Sequence, residues 1–386
     1  MKKKRKVCVV ITARASYSRI KSAMVSIKNH PDLTLQVIIT ASALLDKYGS
    51  IKQYLKNDNI NVTSKVYMVI EGENLASMAK TTGTGINELA SIFDNIKPDV
   101  VVTVADRYET ISTAIAASFM QIPLVHIQGG EVTGNIDEKV RHAVTKLADF
   151  HFVSTKLAKS RVIKLGEDSS RVFLTGCPSI DIAEHIVQNG SLDFDPISKY
   201  GGVGPGIDIN NGYIVVLQHP VTDEYELAGD QISKTLSAIY DSGYPCFWFW
   251  PNIDAGSNTL SNAIRSFREE NEIKNIHFFK SMSPEDFLKL IYNSKMIVGN
   301  SSVAIRECSY LGVPAVNIGS RQLGREHSDN VVNVNYDIKQ IKTAIKGLWN
   351  SNEKKCSNLY GHSGAGKKIA ELLSTIQLTT VKKLTY

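Results

Sequence analysis

Residues 123–151 read PLVHIQGGEVTGNIDEKVRHAVTKLADFH, and they hold a strand, a loop, a helix and the start of a second strand. Leu124 to Ile127 is a short apolar run that breaks at Gly129-Gly130. A carboxylate-bearing loop from Glu131 to Glu138 follows. It feeds a helix that begins near Asp137 and repeats apolar residues at Val140, Val144 and Leu147, with Arg141, His142 and Lys146 among them. Gly-Gly after a strand lets backbone approach a ligand closely, and a helix N-terminus behind it favours anionic groups. An ordinary strand–loop–helix with an exposed charged loop is the competing reading of this stretch.

The same alternation extends in both directions. Upstream come VCVVIT (7–12), a helix from about Ser18 to Lys28, LQVIITA (35–41), a helix near 49–57, a strand at Val66 to Ile70, a helix over about 85–95, DVVVTV (99–104) and the small-residue helix TISTAIAASFM. FHFVS (150–154) and VFLTG (172–176) complete a first set. A Gly- and Pro-containing polar segment at 190–212 marks a domain boundary. The pattern restarts with YIVVLQ (213–218), CFWFWP (246–251), IHFFK (276–280), MIVGN (296–300) and AVNIG (315–319). Helical stretches at Asp223 to Tyr240 and Pro284 to Tyr292 fall between these strands, and two more lie near 337–349 and 362–375. Strands that are apolar throughout, separated by amphipathic helices, predict parallel sheets covered on both faces. The expected class is α/β, with two doubly wound Rossmann-like domains and an interdomain cleft. The expected divisions are 1–190, 205–360 and a C-terminal helix and tail at 361–386.

The totals narrow the function classes. At 386 residues the chain is long enough for two domains, and its 43% hydrophobic and 21% charged content is that of a globular protein. No run approaches the ~18 consecutive apolar residues that read as a membrane span, so no membrane partner is expected. Five scattered cysteines without metal-ligand spacing read as reduced thiols in a cytoplasmic protein. MKKKRKV resembles a basic nuclear-import run, but it also serves as a lead-in to a first buried strand. A net charge of +6 suits a small anionic ligand, and no aromatic–basic interleaving points to nucleic acid.

In open α/β sheets ligands sit beyond the carboxyl ends of the strands. Polar clusters occupy those ends: Thr12-Ala13-Arg14, Asp106-Arg107, Gln128 to Glu131, Gln218-His219-Pro220, Pro251-Asn252, Gly299 to Ser302 and Ser320-Arg321. Ser301 and Ser302 before a helix at Val303–Tyr310 suit a phosphate cradle, or cap that helix. Glu307 can accept from a ribose diol. Arg14, Arg19, His219 and Arg321 are cationic candidates for a leaving diphosphate. Structural ion pairs compete for the arginines, and a satisfied core histidine competes for His219. Asp106, Glu131 and Asp137 are acid–base candidates, with helix capping the alternative for Asp137.

Together these stretches resemble a known family. They are Thr12-x-Arg14-Ala15-x-Tyr17-Ser18, Asp106-Arg107, His126-Ile127-x-Gly129-Gly130-Glu131, Ile136-Asp137 with Arg141-His142, Gln218 to Thr222, Pro251 to Ser257, Gly299 to Ser302 with Arg306-Glu307, and Gly319 to Gln322. In this order, over residues 5–340, they resemble the hydrolysing UDP-N-acetylglucosamine 2-epimerases. The resemblance implies a glycosyltransferase-B-type fold, a UDP-linked 2-acetamido sugar as substrate, no organic cofactor, no metal, and a homo-oligomer (dimer or tetramer). The implied route is anti elimination of UDP to a 2-acetamidoglycal, then syn addition of water with C2 inverted. It puts Asp106, Gln128, Glu131, Asp137 and His219 at the chemical end of the site. Arg14, Ser18, Arg19, Arg107, Arg141, Asn252, Ser301, Ser302, Glu307 and Arg321 fall on positions that hold the substrate.

Three positions depart from the family pattern. Gln128 stands where Glu is usual, Ser16 where an acidic residue is usual, and Val104-Ala105 where His-Gly is usual. An amide is no general acid or base at neutral pH, though it can orient water or a hydroxyl. The expected activity is a hydrolysing 2-epimerase for sialic-acid-type sugar biosynthesis. The alternatives are a glycosyltransferase of the same fold, a non-hydrolysing epimerase, and a nucleotide-sugar-binding protein without catalysis.

Overall fold

The computed structural model describes residues 3–45, 51–72, 74–133, 136–251, 256–351 and 353–385. The chain divides into two compact units. The first comprises Met1–Glu131, Ile136–Ile182 and Tyr360–Tyr386; the second comprises Val132–Asn135 and Ala183–Leu359.

The first unit is built on seven strands: β1 (Arg5–Ile11), β2 (Leu33–Thr40), β3 (Ser64–Val66), β4 (Val100–Val104), β5 (Leu124–Ile127), β6 (Phe150–Val153) and β7 (Val172–Leu174). Their order is β3-β2-β1-β4-β5-β6-β7 and every pairing is parallel, with Val9 opposite both Val37 and Val102. The helices along this part of the chain are α1 (Arg14–Asn29), α2 (Lys52–Asn57), α3 (Leu75–Ile96), α4 (Thr110–Phe119), α5 (Ile136–Leu147), α6 (Lys156–Lys164) and α7 (Ser179–Asn189). Side chains alternate across a strand, so each run serves two cores. Val7, Val9, Ile11, Val100 and Val102 pack with Tyr17, Ile20 and Met24 of α1. Cys8, Val10, Ile38, Val101 and Leu124 pack with Leu89 and Phe93 of α3, Ala114 and Ala117 of α4 and Val144 of α5. Both faces being covered is why these strands read as continuous apolar runs.

The second unit contains α8 (Pro196–Tyr200), β8 (Ile214–Leu217), α9 (Ala228–Ser242), β9 (Cys246–Phe249), α10 (Ser257–Glu270), β10 (Ile276–Phe279), α11 (Pro284–Tyr292), β11 (Met296–Gly299), α12 (Glu307–Leu311), β12 (Ala315–Ile318), β13 (Val331–Val334) and α13 (Ile338–Trp349). Its strands run parallel in the order β10-β9-β8-β11-β12-β13, a doubly wound sheet like the first. Ile214, Val216, Trp248, Val298 and Ile318 form a core with Ile232 and Leu236 of α9, Ile264 of α10 and Ile341 of α13.

The last helix, α14 (Ala365–Thr375), belongs to the first unit, where Ile369 and Leu373 join the α1 side of the core. Its N-terminus is closed by Asp181, whose carboxylate accepts from the backbone N–H groups of Gly364, Ala365 and Gly366 at 2.6, 3.1 and 2.8 Å. That carboxylate does the work of a capping side chain from a distant part of the sequence.

Several expectations change in detail. The third strand ends at Val66 rather than Ile70. Helix α3 starts at Leu75, ten residues before the expected 85, because Asn74 and Ser77 close a reciprocal capping box there. The stretch expected as a helix from Asp223 opens with a 3-10 segment, Thr222–Leu227, that is broken at Glu224. Within 190–212 lie α8 and a bridge from Val203 to Phe278, so this segment is packed onto the second unit.

Candidate functional site

In the first unit the site grows from the end of β4. Asp106 is buried, and its carboxylate accepts from Nη2 of Arg141 and lies 3.5 Å from Nη1 of Arg19. Arg141 is itself buried, and its Nη1 donates to the Glu131 carbonyl at 2.8 Å and to Glu138 at 2.7 Å. One guanidinium therefore ties β4, the loop after β5 and the first turn of α5. Two cations on one buried carboxylate stabilise its negative charge. Asp137 lies in the first turn of α5, where a carboxylate complements the helix dipole. Ser18 donates back to the Arg14 carbonyl at 3.3 Å. Arg14 is part-buried, and burial lowers its pKa.

The other expected residues are arranged differently. Arg107 directs Nε and Nη2 onto both oxygens of Glu109, at 3.2 and 3.1 Å. Glu109 is buried and was not singled out by the sequence; a carboxylate two residues from an arginine in the same post-strand turn was the available signal. Gln128 adopts a positive φ of 68° and donates from Nε2 to the Cys177 thiol at 3.1 Å. The glycines after it serve packing. A Cβ on Gly129 would lie 3.0 Å from both His126 Nδ1 and Thr145 Oγ1, and one on Gly130 would strike the Ala158 carbonyl of α6.

His126 is fully buried between that Thr145 hydroxyl, 3.1 Å from Nδ1, and the Ala105 carbonyl, 2.9 Å from Nε2. A carbonyl only accepts, so Nε2 carries the proton and Nδ1 accepts from Thr145. Burial lowers the His126 pKa to about 4, which keeps the ring neutral at ordinary pH.

In the second unit the site is organised by Asn300, at the end of β11. Oδ1 accepts from the His219 N–H at 2.7 Å, and Nδ2 donates to the His219 carbonyl at 2.8 Å. Arg321 and Gln322 donate to the Asn300 carbonyl at 3.2 and 2.8 Å. The loop after β8, the loop after β11 and the loop after β12 thus meet on one buried residue, through its side chain and its carbonyl. Gly299, at φ 134°, is required because a Cβ there would strike the Leu217 carbonyl.

The helix expected at Val303–Tyr310 is two short pieces, a 3-10 turn at Ser302–Ala304 and α12 from Glu307. Between them the buried Arg306 bonds back to Ser302, with its N–H to the carbonyl at 3.0 Å and Nη2 to Oγ at 2.8 Å. A guanidinium only donates, so the Ser302 hydroxyl oxygen is the acceptor in that bond. Ser301 caps the 3-10 turn through the Val303 N–H, and Glu307 is buried with Oε2 unpartnered among the described residues. Asn252 lies outside the described residues. Asn300 and Arg306, quoted within motifs but given no role, are the residues that hold this site together.

Residues 25–374 match the family described as UDP-N-acetylglucosamine 2-epimerase. The chain belongs to that family. It is 30% identical over 374 residues, covering 97% of each chain, to the UDP-N,N'-diacetylbacillosamine 2-epimerase (hydrolyzing) of Legionella pneumophila. It is 28% identical, over 89% of this chain and 88% of the relative, to the GDP/UDP-N,N'-diacetylbacillosamine 2-epimerase (hydrolyzing) of Campylobacter jejuni. Among solved structures it is similar to the UDP-GlcNAc 2-epimerase of Neisseria meningitidis bound to UDP-GlcNAc, with a TM-score of 0.76 at 21% identity over 95% of this chain and 99% of that one. That likeness establishes the glycosyltransferase-B-type fold implied by the motifs.

The family's usual Gly before Asp-Arg is Ala105 here, at φ 66°. A left-handed backbone conformation at that point explains the glycine and makes the alanine strained. Among the described residues no helix is long and apolar enough to cross a membrane.

Proposed function

We propose that the protein is a hydrolysing nucleotide-sugar 2-epimerase that converts a UDP-linked 2-acetamido sugar and water into UDP and the free C2 epimer. The observation that carries this reading is the buried Asp106 carboxylate held by Arg141 and Arg19 at the carboxyl end of β4. In the elimination half a base removes the C2 proton while the C1–O bond to UDP breaks, leaving a 2-acetamidoglycal. In the hydration half a water oxygen bonds to C1 and a proton returns to C2. Asp106, Asp137 and Glu131 are the groups able to move those protons, and Gln128 orients a hydroxyl or water.

On this reading Ser301, Ser302 and Arg321 hold the diphosphate, Glu307 accepts from the ribose, and His219 offsets charge on the departing UDP. The Legionella and Campylobacter relatives, both hydrolysing 2-epimerases, support the hydrolysing outcome. The free sugar then suits sialic-acid-type biosynthesis. Cysteines without disulfides, four of them buried, suit a reducing cytoplasm.

The test is incubation with UDP-GlcNAc and with UDP-N,N'-diacetylbacillosamine in D2O, without an acceptor, and NMR of the products. Free C2-epimerised sugar with deuterium at C2 is expected. A C2 epimer still attached to UDP would mean non-hydrolysing chemistry. Product with only protium at C2, or release that requires an acceptor, would overturn the reading.

A further inference from the structure

We infer that Lys382, in the C-terminal tail, is a positioning residue for the Asp106–Arg141 pair. The inference rests on the reading of that pair as part of the catalytic machinery. Lys382 sits past the end of α14, and its ammonium has three acceptors: the Ala148 carbonyl at 2.5 Å, the Thr145 carbonyl at 3.2 Å and Glu167 Oε2 at 2.6 Å. Thr145 and Ala148 belong to the last turn of α5 and the residue after it, where carbonyls lack helical partners. The amide that would continue the helix onto Thr145, that of Asp149, is bonded instead to the Leu124 carbonyl at 2.8 Å. A cation on those carbonyls also complements the helix dipole.

The path from that turn to Asp106 is short and continuous. Arg141 and Thr145 lie four residues apart, on one face of α5. Arg141 holds the Asp106 carboxylate from the side. Thr145 holds His126 through Oγ1, and His126 holds the carbonyl of Ala105, the residue before Asp106. Side chain and backbone of Asp106 are therefore both referred to α5, and Lys382 fixes the end of α5.

The tail is anchored for this task. Arg171 donates to the Val381 carbonyl at 2.8 Å, Thr380 bonds Gln121 at 3.2 Å, and Leu378 packs against the core beneath. Glu167, the anion under Lys382, is also held by Lys146 at 2.6 Å and His151 at 2.9 Å. Burial pushes that carboxylate's pKa up, but these three donors outweigh burial and hold it at about 2. Lys382 thus docks on a charge that persists across physiological pH.

The experiment uses the full chain with Lys382→Met, Lys382→Arg and, as a control, Lys383→Met at the exposed neighbour. Amide hydrogen exchange is followed over 136–148 and 100–107, together with UDP affinity and steady-state turnover of a UDP-linked acetamido sugar. In Lys382→Met, exchange at the end of α5 and around Asp106 should rise and kcat should fall about 10- to 100-fold, with KM and UDP affinity kept, as expected for a misplaced catalytic group. Lys382→Arg should recover most of both, and Lys383→Met should resemble the parent. Unchanged exchange in both segments overturns the proposal, as does unchanged kcat. An equal loss in Lys382→Arg and Lys382→Met, with lower thermal stability in both, also overturns it in favour of a general structural role. If the parent turns over no acetamido nucleotide sugar, the functional reading fails, and the exchange comparison still decides the link from Lys382 to Asp106.

Discussion

Asn300 grips the backbone of His219 from both sides, accepting its N–H at 2.7 Å and donating to its carbonyl at 2.8 Å. The two residues follow β8 and β11, which are neighbours in the second sheet. The clamp turns two separate loops into one platform, and the Asn300 carbonyl then receives Arg321 and Gln322.

Asn300→Asp keeps the acceptor but faces a second oxygen toward the His219 carbonyl. Losing one buried hydrogen bond and leaving its acceptor unsatisfied should cost about 1–3 kcal/mol. Urea unfolding should report that loss, and calorimetry should show weaker UDP binding. A stability equal to the parent's would mean the clamp carries little.

Ser302→Ala and Glu307→Ala should each weaken UDP binding by about 1.5–3 kcal/mol, the usual value for a hydrogen bond involving a charged group. Ser302→Ala also removes an acceptor from the buried Arg306, so its stability should drop as well. Calorimetry with UDP alone separates binding from catalysis. Unchanged affinity in both variants would remove the nucleotide from this site.

Asp106→Asn should lower turnover by roughly 10²–10⁴-fold, the range of general acid–base contributions, while UDP affinity stays near the parent's. Arg141 still reaches Glu138 and the Glu131 carbonyl in this variant, so the fold should persist. Single-turnover kinetics measures the loss. Full activity would place the proton transfers elsewhere.

Gln128→Glu restores the residue usual in the family, but it puts a carboxyl group in a buried position against the Cys177 thiol. Burial raises a carboxyl pKa above its unfolded value of about 4.3. The unfolded chain then loses its proton first as pH rises, so the variant should lose stability relative to the parent from about pH 4.3 up to its raised native pKa. Urea midpoints at pH 4 and pH 7 test the sign.

His126 makes an opposite demand at lower pH. Its folded pKa is about 4 because of burial, against about 6.5 for an unfolded histidine. Between those values the unfolded chain binds a proton that the native state refuses, so native stability should fall as pH drops from about 6.5 to 4. The stake is on the order of 3 kcal/mol. His126→Asn should flatten that part of the profile, and an unaltered slope would assign the effect to other groups.

Most strands were legible because they are apolar on both faces, and their parallel pairing followed from that. What the sequence hid had specific causes. β13 is an edge strand with Val332 and Asn333 exposed, so it lacks the unbroken run of the others. The Thr-Thr-Gly-Thr-Gly stretch inside α3 reads as a breaker, yet Gly85 is where α3 presses on Met68 and on Ser112 of α4. At the site, the types of Asp106, Arg19 and Arg141 were readable, but their meeting on one carboxylate depends on how α1 and α5 pack. The pairing of Arg107 with Glu109 and the grip of Asn300 on His219 are likewise products of tertiary geometry.

The docking of α14 on α1 has a consequence for how the chain is made. Gly366 lies so close to α1 that a Cβ there would come within 2.5 Å of the Ser22 backbone. Ile369 and Leu373 fill the same core as Tyr17 and Ile20. Helix α14 is therefore translated only after the whole of the second unit has been synthesised. At about 5–20 residues per second, the emerging first sheet waits on the order of ten seconds or more with the α1 face unfilled. A nascent chain stalled before Ala365 should be the form most in need of a chaperone, and its demand should end when α14 emerges.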